Sequence, residues 1–260
     1  MNESKLYERF SNRQADYAKY RPTYPRELLD RLAVRIDLSC DREVADIGAG
    51  TGIFTALLLE RQLRVHAVEP NSDMLGVARE TLSQREGFVA VIGTAEATTL
   101  PSASVDVIFC AQAFHWFNTL ATRTEWQRIL RPYGYAVLVW NNPDLEEKLD
   151  REYQDLIRNF ATDDGAAMRA SRETQSNNVL FAGHESERIV LRNSQTLDYA
   201  GLVGRTESAS FAPKKNDSRF APLMDGLRRF FDAHQSNGQI VLQYETVVIF
   251  GQLEHGMAPK

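Results

Sequence analysis

Val44-Ala45-Asp46-Ile47-Gly48-Ala49-Gly50-Thr51-Gly52-Ile53-Phe54 is the stretch that decides the fold of this chain. A short apolar strand runs into three glycines at alternating positions, and a helical pattern follows. A second strand at 65–69 ends in Glu69, 21 residues past Gly48. Strand, glycine turn, helix, strand, acid is the order of a nucleotide-binding half-unit. Glycine lets the backbone approach a ligand closely, and the acid accepts from two ribose hydroxyls. The glycine spacing discriminates between ligands. Dinucleotide sites use G-x-G-x-x-G, with the pyrophosphate at the helix N-terminus. Here the spacing is G-x-G-x-G, and Ile53 stands where the third dinucleotide glycine would be. Its Cβ would crowd a pyrophosphate, which disfavours a nicotinamide oxidoreductase and suits an adenosyl group with a neutral or zwitterionic tail.

Outward from this turn, strands at 44–47, 65–69, 88–92, 105–110 and 135–140 alternate with helical patterns at 53–62, from 71 onward and at 118–130. Asn71-Ser72-Asp73 are all good capping residues, and Asn118 is a candidate cap. Such alternation predicts a parallel, doubly wound sheet whose ligands bind outside the carboxyl ends of the strands. The informative positions are therefore 48–52, 69–74, 94–96, 111–116 and 141–144. Upstream, residues 5–34 read as helices broken by Arg21-Pro22-Thr23-Tyr24-Pro25, with Pro25 opening a helix over 25–35. Downstream, Leu145, Leu149, Tyr153, Leu156, Ile157 and Phe160 keep a helical period. A strand at 188–191, helices at 197–207 and 219–234, and two closing strands at 239–242 and 246–250 complete the reading.

The glycine turn with Glu69 resembles motif I of the class I S-adenosylmethionine (SAM)-dependent methyltransferases. The chain is similar to their small-molecule, trans-aconitate-methyltransferase-like type, best over 44–140 and more loosely at the Tyr-Arg-Pro segment and at Tyr244-Glu245-Thr246. The resemblance implies an α/β, Rossmann-like, mostly parallel seven-stranded sheet with an antiparallel last strand. It implies one domain over 1–260: an N-terminal helical lid (1–34), a cofactor-binding core (35–140), a helical excursion over the cleft (141–183), and C-terminal strands and helices (184–260).

The same resemblance assigns SAM as cofactor and Asp46, Gly48, Ala49, Gly50, Gly52, Glu69, Met74, Ala95, Glu96, Gln112 and Arg21 as its site. Glu69 would hold the ribose, Met74 cover the adenine, and Ala95-Glu96 read the adenine edge. Met74 also reads as a core residue of its helix, and Glu96 as a solvated loop acid. Arg21 is a candidate partner for a carboxylate, that of the methionyl tail or of a substrate; the bland alternative is a surface ion pair. Tyr17, Tyr20, His115, Trp116 and Asn141 are the candidate substrate residues. His115 follows the fourth strand, where a neutral imidazole can take a proton from an acceptor O–H or N–H. It reads equally as a hydrogen-bonded wall residue. Asn141-Asn142-Pro143-Asp144 has neither the place nor the second proline and aromatic of the Asn-Pro-Pro-aromatic signature, and is set aside.

The expected reaction is in-line methyl transfer to a small carboxylate, hydroxyl or amine. Displacement at another carbon of SAM, by cyclisation releasing methylthioadenosine or by aminocarboxypropyl transfer, would use the same motif, and a non-catalytic SAM binder is a further alternative. Composition bounds the rest. The net charge of −5 comes without a basic block, so no nucleic-acid partner is expected. No apolar run reaches spanning length and the N-terminus is polar, so the expectation is a cytoplasmic protein off the membrane. Cys40 and Cys110 lack ligand spacing, and no histidine or acid pair predicts a metal. Acceptor and oligomeric state are not legible.

Overall fold

The computed structural model describes residues 20–162, 179–181, 185–209 and 211–253. Tyr17, most of the expected 1–34 lid and the later part of the 141–183 excursion lie outside the described residues. The elements, in chain order, are α1 (Glu27–Ala33), β1 (Glu43–Ile47), α2 (Ile53–Glu60), β2 (Arg64–Glu69), α3 (Ser72–Leu82), β3 (Phe88–Ile92) and β4 (Val105–Ala111). A 3-10 turn (Phe114–Trp116) leads to α4 (Thr119–Ile129), β5 (Leu130–Pro143), α5 (Lys148–Phe160), β6 (Ser186–Leu197), α6 (Tyr199–Glu207), α7 (Phe220–His234) and β7 (Ile240–Gln252). They form a seven-stranded sheet in the order β3-β2-β1-β4-β5-β7-β6. Pairing is parallel from β3 through β5, and β7 runs antiparallel to both of its neighbours. The expected fold is therefore the observed one: β6 keeps the common direction and only the last strand reverses.

Period-2 alternation loads both faces of the sheet. Val107, Phe109, Val137 and Val139 pack on one side with Leu28, Leu32, Phe54 and Leu58 of α1 and α2. Ile108, Cys110, Ala136 and Leu138 pack on the other with Trp126 and Ile129 of α4. Strands covered on both faces need apolar residues at nearly every position, which is why 105–110 and 135–140 read as continuous apolar runs. A third cluster gathers Tyr153 and Ile157 of α5, Leu202 of α6, and Leu223, Leu227 and Phe231 of α7 against Ile240, Leu242 and Tyr244 of β7.

One correction concerns the closing strands. The two expected at 239–242 and 246–250 are a single strand. Gln243-Tyr244-Glu245 is polar enough to look like a break. Yet Tyr244 and Thr246 are buried and continue the inward period of Ile240 and Leu242. Strand β5 likewise extends well beyond 135–140, and Asn141 to Pro143 stay in the sheet, paired with Thr246 to Tyr244, before the chain leaves for α5. Helix α1 begins at Glu27, two residues later than Pro25 suggests. No helix among the described residues is long and apolar enough to cross a membrane.

Candidate active site

The cleft opens at the carboxyl ends of β1, β4 and β5, and its floor is the glycine turn. Gly48 (φ +75°) sits where a Cβ would lie 2.5 Å from the Ala113 Cβ, so both its backbone angle and its surroundings exclude a side chain. The amides of Gly48 and Ala49 donate to the Val68 carbonyl, which ties the turn to the end of β2. The Gly50 amide donates to Glu69 Oε2 (3.0 Å) and the Asn71 amide to Oε1 (2.9 Å). Glu69 thus holds the turn and the start of α3 together. Asn71 caps α3 as its residue type predicts, its Oδ1 accepting from the Asp73 and Met74 amides. Burial raises the Glu69 pKa, and the two amide donors oppose that shift.

Around this turn lies an open cleft. It is lined by Asp46, Gly48, Ala49, Gly50, Thr51 and Ile53 of β1, the glycine turn and the start of α2, together with Arg21, Pro22, Tyr24, Phe54, Ala111, Gln112, Asn141 and Arg205. Two buried polar atoms on the glycine side have no protein partner. Asp46 Oδ2 accepts from the Thr55 hydroxyl (2.6 Å), but its Oδ1 does not bond to the protein, and neither does Thr51 Oγ1. An unsatisfied buried polar atom costs roughly 1–3 kcal/mol, so such atoms in a cleft wall are positions where water or a ligand bonds. Burial, with Glu69 adding to it, pushes Asp46 up to about 7 while the Thr55 hydroxyl pulls the other way. Gln112 adopts φ +58°, a strained angle for a side-chain-bearing residue at the end of β4. Its Nε2 donates to the Asn141 carbonyl (3.0 Å).

The segment 20–24 crosses the cleft as a strap. Asn141 Nδ2 (3.1 Å) and Asn193 Nδ2 (2.7 Å) both donate to the Thr23 carbonyl. Gln195 Nε2 donates to the Tyr20 carbonyl (2.9 Å), and Arg21 Nη2 to the Ser208 carbonyl (2.8 Å). Tyr24 packs edge-on against Phe54 with ring centroids 4.9 Å apart. Tyr20 lies flat on α6, where a Cβ on Gly204 would come within 2.1 Å of its ring.

The expected residues divide accordingly. Asp46, Gly48, Ala49, Gly50, Gln112, Arg21 and Asn141 line the cleft together. Gly52 makes the left-handed start of α2. Met74 packs beneath Gly50, and Ala95 is core, against Ile47 and Val68. The Glu96 carboxylate turns to α4, accepting from the Asn118 amide (2.8 Å), so the acid rather than the Asn118 side chain caps that helix. The rings of His115 and Trp116 lie tilted against one another (centroids 5.0 Å) in the 3-10 turn and do not line the cleft; at this level the wall is Ala111 and Gln112. Phe114, in the same turn, is core against Trp126. Sequence reasoning did not single out Thr51, Thr55, Arg205, Asn193 or Gln195. Thr51 stands inside the glycine motif, and its hydroxyl was the available signal. Arg205 has no local signal at all.

Residues 45–138 match the family described as a methyltransferase domain. An uncharacterised methyltransferase of Mycobacterium tuberculosis is 41% identical over 148 residues, 57% of this chain and 58% of that protein. A trans-aconitate 2-methyltransferase of an Azoarcus species is 38% identical over 125 residues, 47% of each chain. The chain thus matches about half the length of these curated relatives. A solved structure from Anaeromyxobacter dehalogenans, provisionally assigned as a type II methyltransferase, superposes with a TM-score of 0.65 at 23% identity over 90% of this chain and 98% of that one. Residues 45–138 are thus similar to a methyltransferase domain and the sheet has the Rossmann-like fold of that solved structure, in line with what the glycine turn and Glu69 implied.

Proposed function

We propose that this protein binds SAM in the cleft and transfers its methyl group to a small-molecule acceptor. The observation that carries the reading is the pair of partnerless buried polar atoms, Asp46 Oδ1 and Thr51 Oγ1, beside a glycine turn that admits no Cβ. The residues fit the cofactor. Glu69 retains lone pairs for ribose hydroxyls beyond those taken by the Gly50 and Asn71 amides. Asp46 and Thr51 offer acceptors to the ammonium of the amino-acid tail.

Bound SAM supplies an electrophilic methyl on a sulfonium, with a good thioether leaving group. What remains for the chain is alignment and exclusion of water. The strap, latched by Asn141, Asn193 and Gln195, closes the cleft over the glycine turn. Ala111 and Gln112 form the wall beside the reacting centre. A protonated acceptor needs a base, and a carboxylate acceptor needs none. That His115 does not line the cleft favours a structural role for that imidazole over proton transfer.

The test is mass spectrometry of the purified protein incubated with SAM, alone and then with candidate acceptors. SAM should stay intact alone, and S-adenosylhomocysteine should form only with an acceptor. Methylthioadenosine appearing in the absence of an acceptor would overturn methyl transfer in favour of displacement at another carbon.

A further inference from the structure

Asp46 is an acid in the apolar run of β1, and only 1% of it is exposed although it lines the cleft. Its two oxygens differ. Oδ2 accepts from the Thr55 hydroxyl of α2 (2.6 Å), and Oδ1 bonds to no group among the described residues. A second carboxyl stands on the neighbouring strand: Glu69 closes β2, which pairs with β1. From β4 the neighbour is the Cys110 thiol, which burial and the charge of Asp46 hold well above its usual range, so it stays neutral. The cations of the cleft lining are Arg21 and Arg205, and both heads are engaged elsewhere. Arg21 donates to the Ser208 carbonyl (2.8 Å), and Arg205 Nε to the Tyr244 hydroxyl (3.4 Å).

Two neighbouring buried carboxyls resist ionising together. The hydrogen bonds decide which of them keeps a proton. Both oxygens of Glu69 accept backbone amides, from Gly50 and Asn71, and these favour its ionised form. A proton on Asp46 Oδ1 disturbs no bond within the protein. Asp46 is therefore the protonated member of the pair in the unliganded protein. Burial, with the Glu69 charge beside it, pushes it up to about 7. A ligand changes this balance according to its charge. A neutral donor can bond to Oδ1 without requiring that the group ionise. An ammonium stabilises the carboxylate directly, and its three N–H donors suit Oδ1 and the other orphaned oxygen of the lining, Thr51 Oγ1.

We propose that Asp46 exchanges its proton for the ammonium of the nucleoside's amino-acid tail, so that ligand uptake by this cleft is coupled to release of a proton. The carboxyl O–H breaks, the proton leaves to solvent, and an N–H···O bond to the ammonium takes its place; no bond within the nucleoside changes. The proposal rests on the SAM-binding reading above and adds a pH dependence to it. The sign follows from the linkage. Affinity rises with pH while Asp46 in the free protein is still protonated, and levels off above about pH 7.

The experiment is calorimetric titration of the full chain with S-adenosylhomocysteine at pH 6, in three buffers of different ionisation enthalpy. The slope of observed enthalpy against buffer enthalpy counts the protons released. Methylthioadenosine, which lacks the tail, and the deamino analogue of S-adenosylhomocysteine, which keeps the carboxylate and lacks the ammonium, are titrated alongside, and Asp46→Asn is titrated in parallel. The expected release with S-adenosylhomocysteine is about 0.5–1 proton at pH 6 and close to none at pH 8. Its affinity should rise about 10–100-fold from pH 5 to pH 7. Neither other nucleoside should release a proton, and Asp46→Asn should release none and bind with flat affinity over that range. Release that persists in Asp46→Asn would assign the proton to another group and overturn the proposal. Equal release with the deamino analogue would take the ammonium out of the exchange and overturn it as well. Should Asp46→Asn not fold, the comparison of S-adenosylhomocysteine with its deamino analogue on the parent decides the matter. Binding of S-adenosylhomocysteine without proton release overturns the proposal alone, whereas a parent that binds no nucleoside removes the SAM-binding reading and the proposal with it.

Discussion

The Thr55 hydroxyl donates to Asp46 Oδ2 at 2.6 Å and fixes a carboxyl group whose other oxygen is buried in the cleft wall without a protein partner. Asp46 is raised from 3.8 to about 7 by its burial. Between about pH 4 and 7 the folded protein therefore binds more protons than the unfolded chain, and this group's contribution to stability falls as pH rises through that window. Asp46→Asn keeps an acceptor for Thr55 and removes the ionisation. The unliganded variant should gain up to a few kcal/mol at pH 8 relative to pH 5, while its affinity for S-adenosylhomocysteine drops. Thermal unfolding across pH checks this; parallel curves for parent and variant would show that Asp46 does not titrate as described.

Glu69 ties two buried amides, so Glu69→Ala would orphan both donors together and, on the proposed reading, remove the ribose contacts as well. Each orphan costs roughly 1–3 kcal/mol. Glu69→Gln is the cleaner probe, because its amide oxygen still accepts from one of them. We expect Glu69→Gln to stay folded with S-adenosylhomocysteine affinity at least about ten-fold weaker, since neutral acceptors hold hydroxyls less strongly. Equal affinity in a calorimetric titration would remove Glu69 from the ribose site.

His115 should be dispensable for proton transfer. Replacing it by alanine removes a ring packed at a tilt against Trp116, not a group lining the cleft. Turnover of His115→Ala is expected within a few-fold of the parent, with the same pH profile. A lost basic limb in kcat against pH would restore it as a base.

Gly48→Ala tests the floor of the cleft. The added methyl would sit 2.5 Å from the Ala113 Cβ on a backbone with φ +75°. Strain of this kind costs about 1–3 kcal/mol, so the melting temperature should fall and nucleoside binding should be lost with it. A variant that melts and binds like the parent would show the turn to be looser than described.

What was legible in the chain was local. Positive φ at Gly48, capping at Asn71 and the acid closing β2 are each dictated by neighbours a few residues away, and all three were readable. The far half of the cleft depends on meetings across the fold. Arg21 reaches Ser208 and Asn141 reaches Thr23 over 187 and 118 residues, and no spacing rule brings such pairs together. The strand-end rule put His115 at the right level but gave no side-chain direction. A 3-10 turn at 114–116 set that direction and left Gln112 in the wall. Strand β7 looked broken because Gln243-Tyr244-Glu245 reads as polar, although Tyr244 fills the inward period.

The strap's carbonyl anchors at Thr23 and Tyr20 have a practical consequence for anyone handling the protein. Their donors are the carboxamides of Asn141, Asn193 and Gln195, which carry no charge and do not titrate. Ionic strength and buffer pH therefore give little leverage on these latches. Opening them takes competition for amide hydrogen bonds, as urea provides, while the strap's tie through Arg21 to the Ser208 carbonyl is the one of these four whose donor carries a charge.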